Sequence, residues 1–73
     1  MAKEDFHTRL GKHIKKLRNE RNLSLRDFEL ENDFDRGLLS KIEGGKKDIK
    51  TSTLNKLITA FGMTWEEFFK GMK

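Results

Sequence analysis

Phe6, Leu10, Ile14 and Leu17 recur at intervals of four, four and three residues, which lays one apolar stripe along a helix predicted over 5–21. Ser24, with Asp27 three residues on, has the form of a capping box and opens a second helix, 25–32, anchored by Phe28. The helical pattern fades at Asn32-Asp33, two residues that tolerate left-handed backbone and suit a sharp turn. Asp35 can cap a third helix, 36–43, in which Leu38, Leu39 and Ile42 share an apolar side and which Gly44-Gly45 end. Gly37 falls inside that helix, where glycine costs about 1 kcal/mol against alanine; a frayed first turn or a close backbone approach to a partner accounts for it. Thr51, Ser52 and Thr53 offer caps for a fourth helix, 52–61, with Leu54, Leu57, Ile58 and Phe61 on one side and Gly62 as its stop. Thr64 and Glu67 repeat the capping-box pattern before a short fifth helix, 65–71. The expectation is an all-α single domain over 1–73, with Leu10, Ile14, Leu17, Phe28, Leu39, Ile42, Leu54, Leu57, Ile58, Phe61 and Phe68 as its core.

A helix, a tight turn and a second helix over 24–43 make the outline of a helix-turn-helix. Within it, Ser24-x-x-x-Phe28, then Phe34-Asp35-Arg36, then Leu39-Ser40-Lys41-Ile42-Glu43-Gly44-Gly45-Lys46 resemble the Cro/C1-type (XRE family) domain of phage repressors and restriction–modification controller proteins. The likeness runs without a gap from Leu10 to Phe69. The resemblance implies a compact five-helix, lambda-repressor-like domain with double-stranded DNA as partner. It also implies a homodimer built from C-terminal helices, and an ion pair between Arg18 and Glu43 that ties the first helix to the third. Three positions depart from the family's pattern. Leu25 stands where a DNA-contacting glutamine is frequent, Glu29 where a small alanine is usual, and Asp33 where the turn has glycine. A buried unpaired carboxylate is too costly, so Glu29 must bend outward or meet a cation such as Arg26 or Lys41.

Charge sharpens this picture. The net charge is +4, but residues 22–35 carry one basic and five acidic side chains, whereas residues 36–50 carry five basic and two acidic. The proposed reading helix is therefore basic and its neighbour acidic, and a basic balance favours polyanions, nucleic acid first. A chain this short buries only roughly 60% of its unfolded surface, which leaves little room for an enzyme cleft. With no cysteine there is no disulfide framework or cysteine zinc site, in keeping with a reducing cytoplasm. No apolar run exceeds two residues, which predicts neither a signal peptide nor a membrane span.

The third helix would enter the major groove by its leading end. Arg36 is the first candidate for base contact, because its forked donors match guanine O6 and N7; a solvated arginine, or a local partner of Asp33 or Asp35, is the plain alternative. Gly37 and Lys41 complete the base-contact set. Ser24, Arg26, Ser40, Lys46, Lys47 and Arg18 are the candidates for phosphate contact, beside the ordinary reading of each as a capping or solvated side chain. Lys12, Lys15 and Lys16 read as a solvated face or as further phosphate contacts. Trp65, Phe69 and Met72 form a second apolar stripe on the last helix, either packed against the first helix near Phe6 and Leu10 or serving as a homodimer seam.

No catalytic set, metal site or cofactor motif emerges, and no small-molecule ligand is evident. His7 and His13, six residues apart, fall on different helix faces and read as solvated. The glycines form neither GxGxxG nor a Walker loop, and the acidic run from Asp27 to Asp35 lacks EF-hand spacing. The expectation is a non-enzymatic, sequence-specific transcriptional regulator, a repressor or controller acting as a homodimer on a near-palindromic operator. The competing reading is a protein-interaction module or antitoxin of a toxin–antitoxin pair that keeps the fold with weak or no DNA binding.

Overall fold

Five helices account for the fold: α1 (Phe6–Glu20), α2 (Leu25–Glu31), α3 (Leu38–Glu43), α4 (Thr51–Ala60) and α5 (Trp65–Lys70). The structure is a computed structural model that describes residues 5–45 and 48–72. Asp5 caps α1 by accepting from the Thr8 amide at 2.8 Å, and that bond holds its carboxyl below the ordinary range. Ser24 Oγ accepts from the Asp27 amide at 3.0 Å, and Thr64 with Glu67 forms a complete reciprocal capping box. Arg21 closes two helices at once, donating to the carbonyls of Leu17 and Phe61 near the ends of α1 and α4. Lys50 holds the cap position of α4 without a side-chain bond, so the helix begins at Thr51 and no hydroxyl of the Thr51-Ser52-Thr53 run caps it.

Every residue predicted for the core is buried. Phe34 joins them from the turn between α2 and α3, stacked on Phe28 with ring centroids 5.9 Å apart. The loop aromatic thus fills the space that a bare turn would leave open.

His13 departs from expectation. It is buried rather than solvated, with Nε2 2.9 Å from the Phe68 carbonyl and its ring edge-on to the Phe68 ring. A histidine on an otherwise apolar face is tolerable because that carbonyl, near the end of α5, gives its ring nitrogen a partner. His7 is half-buried, 2.7 Å from Asp48 Oδ1.

α3 packs against both α1 and α2, and α4 against α5. The α1–α3 approach depends on Gly11: a Cβ built there would lie 2.5 Å from the carbonyl oxygens of both Ile42 and Glu43. Gly45, left-handed at φ +70° just past α3, is similarly pressed on the Thr8 backbone.

Candidate nucleic-acid interface

The connection between α2 and α3 is longer than its sequence suggests. The Phe34 amide returns to the Glu29 carbonyl at 2.9 Å, Asp33 sits at φ +59°, and the Leu38 amide bonds the Asp35 carbonyl at 3.2 Å. This last bond winds Asp35–Leu38 into a turn rather than a first helical turn. α3 therefore starts at Leu38, not 36, and Arg36 precedes it. Gly37, at φ +83°, occupies the cap position in a left-handed conformation that a residue with a Cβ rarely adopts. Asp35 is exposed and does not cap the helix.

The missing cap is supplied by Glu29 from α2. One carboxylate oxygen, Oε2, accepts from the Gly37 amide at 3.0 Å and from the Leu39 amide at 3.2 Å. The other, Oε1, lies 3.4 Å from Arg26 Nη1. Glu29 is only 3% exposed, so it neither bends outward nor reaches Lys41. The charge of this carboxylate meets the positive end of α3 and an arginine of its own helix.

A second strut fixes α3 at its other end. Arg18 Nε donates to Glu43 Oε2 at 2.7 Å and Arg18 Nη2 to Glu43 Oε1 at 3.0 Å, a fork-to-fork pair joining α1 to α3. Arg18 Nη1 also donates to the Leu23 carbonyl at 2.6 Å, in the connection to α2. The Glu43 hydrogen bonds push the guanidinium still higher than its ordinary value, against the opposing effect of burial. With its side chain 8% exposed and so engaged, Arg18 is a strut, and the phosphate-contact role expected of it is withdrawn.

Leu39 and Ile42 turn inward, so helical geometry puts Gly37, Ser40, Lys41 and Gly44 on the outward side of α3. Ser40 and Lys41 are exposed, as is Arg36 just upstream. Among the described residues, none of these three side chains makes a hydrogen bond or ion pair, which leaves their donors for another molecule. Ser24 is exposed with its hydroxyl oxygen accepting the Asp27 amide, and Arg26 is exposed apart from its bond to Glu29. Lys46 and Lys47 lie outside the described residues. No His, Cys, Asp or Glu cluster among the described residues could hold a metal ion.

Away from α3, Trp65 is 39% exposed with its indole N–H donating to Asn55 Oδ1 at 2.7 Å. Phe69 lies between Trp65 and Phe6, ring centroids 5.9 and 6.5 Å away, and Phe6 is itself exposed. The stripe on α5 is therefore packed against α1 in part, while continuing as an open aromatic surface shared by both helices.

Comparison with known proteins agrees with this geometry. A family profile described as a helix-turn-helix domain matches residues 11–72. The chain is 36% identical over 70 residues to Control protein C.MunI of a Mycoplasma species, covering 94% of this chain and 95% of that one. Its fold is similar to the crystal structure of a point mutant of the Restriction-Modification Controller Protein C.Esp1396I. That match has a TM-score of 0.84 and 22% identity, over 96% of this chain and 90% of the other. The chain belongs to the helix-turn-helix domain family, of the Cro/C1 (XRE) type that its α2–turn–α3 residues resemble.

Proposed function

We propose that the protein is a sequence-specific DNA-binding transcriptional regulator of the restriction–modification controller kind, working as a homodimer in the cytoplasm. The observation that carries this reading is the outward side of α3. It presents Ser40 and Lys41 exposed, with Arg36 exposed in the turn just ahead of them, on a helix held at both ends by buried carboxylates. Such a helix enters the major groove without rearranging, and Arg36 with Lys41 reads base edges there. Gly37, with open space where a Cβ would be, lets the backbone approach the duplex. Ser24, Arg26, Ser40, Lys46 and Lys47 supply the phosphate contacts and hence the salt dependence. The two similar proteins, a control protein and a restriction–modification controller, support regulation over a bare interaction module.

The stripe of Trp65, Phe69 and Met72, open to solvent at Trp65 and at Phe6 beside it, is the seam we assign to the dimer. Two copies joined there would set their α3 helices about 34 Å apart, one turn of the duplex, on a near-palindromic site. Selection of bound duplexes from a random pool tests this: an inverted repeat should emerge. Arg36→Ala should then cost about 1–3 kcal/mol at one base position of each half-site and little elsewhere. A selected pool without sequence preference, or a uniform loss on Arg36→Ala, would contradict it.

A further inference from the structure

Glu29 is a buried acid, 3% exposed, whose carboxylate bonds are aimed at the reading segment. Its Oε2 takes the amides of Gly37 and Leu39, two donors on either side of the start of α3. Among the described residues those donors have no other side-chain cap: Gly37 has no side chain, and Asp35 is exposed and makes no cap bond. Its Oε1 faces Arg26, which lies on the exposed side of α2.

We propose that Glu29 is a positioning residue of the DNA-reading surface, clamping the start of α3 to α2 so that Arg36 and Gly37 meet the groove in one fixed register. The inference rests on the DNA-binding reading of α3 and adds to it the residue that sets base discrimination without touching DNA. Three features support it. The clamp grips the Gly37 amide, and the peptide carrying that amide belongs to Arg36, so slack in the bond moves the arginine directly. Phe34 anchors the first half of the turn in the core, whereas the left-handed Gly37 has no side chain to hold the second half beside α3. The carboxylate is itself only 3% exposed, so the clamp is made inside the protein and not with DNA. The clamp therefore favours specificity over general affinity.

The test uses two variants of the full chain, Glu29→Met, which fills similar volume without an acceptor, and Glu29→Gln, which keeps an acceptor oxygen. Binding to the operator selected with the wild type is measured beside binding to a random duplex, at a temperature where each protein is fully folded. Amide hydrogen exchange at Gly37 and Leu39 reports the clamp itself. For Glu29→Met, exchange at both amides should speed up and preference for the operator should fall about tenfold or more, with random-duplex affinity within about threefold. Glu29→Gln should keep both amides protected and the preference within about threefold of the wild type. Retained preference in the Met variant, or parallel loss of both binding modes, would overturn the proposal. Should the Met variant fail to fold, Gln decides: lost preference with both amides still protected overturns it. A wild type that binds no duplex refutes the DNA reading instead, a result visible before either variant is made.

Discussion

Replacing Arg18 by alanine should cost far more than an ordinary ion-pair mutation, because of what it leaves behind. The side chains of Arg18 and Glu43 are 8% and 7% exposed, and two N–H···O bonds of 2.7 and 3.0 Å join them. At a separation near 3 Å and an effective dielectric near 20, their attraction is about 5 kcal/mol. Most of that is offset by the cost of taking two ions out of water, so the pair adds little net stability against an apolar pair of equal volume. Removing one partner alone is different. Glu43 would stay buried with no other hydrogen-bond partner among the described residues, and the Leu23 carbonyl would lose its donor. We therefore expect Arg18→Ala to destabilise the domain by about 3–5 kcal/mol. Against a total of roughly 4–11 kcal/mol for 73 residues, that is a large share. In urea melts, with a slope near 1 kcal/mol per M for so small a domain, the midpoint should fall by about 3 M or more. Arg18→Met combined with Glu43→Leu should recover more than half of the loss, since no charge is then stranded. A loss below about 0.5 kcal/mol for Arg18→Ala, the size expected of a surface pair, would refute the buried-strut argument.

Two further outcomes follow from the packing. Gly11→Ala raises helix propensity by about 1 kcal/mol, yet its Cβ would sit 2.5 Å from two backbone oxygens of α3; the net effect should be a loss of about 1–3 kcal/mol in thermal melts, and an equal or more stable variant would show that α1 and α3 have room to separate. Trp65→Glu places a charge on the open aromatic surface while leaving the buried core untouched, so sedimentation should show the dimer dissociating with little change in melting temperature, and an unchanged dimer would move the seam elsewhere.

The apolar stripes made the helices legible because spacing is a local property. Leu54, Leu57, Ile58 and Phe61 place α4 without knowledge of any other element. The polar interior was not legible in the same way. His13 is buried by virtue of a carbonyl 55 residues away, and nothing in its neighbours announces that partner. The sequence leaves Glu29 to bend outward or meet a cation such as Arg26, whereas the left-handed turn at Gly37 also brings two amides to its carboxylate. That same turn misled the reading of α3: Asp35 has cap chemistry, but the Asp35–Leu38 bond spends those residues on a turn and delays the helix to Leu38. Gly11 carried no signal in the sequence, since its role is defined by the backbone of α3 across the interface. Phe34 was visible as part of a motif, though its burial depends on stacking against Phe28.

The most direct measurement is a titration of isotope-labelled protein with a duplex at low salt, following backbone amides and arginine side chains by NMR. The account predicts that the largest shifts fall on Arg36, Gly37, Ser40 and Lys41, with α4 and the outer side of α5 nearly silent. Shifts centred on α5 or on the acidic side of α2, with α3 unmoved, would contradict it.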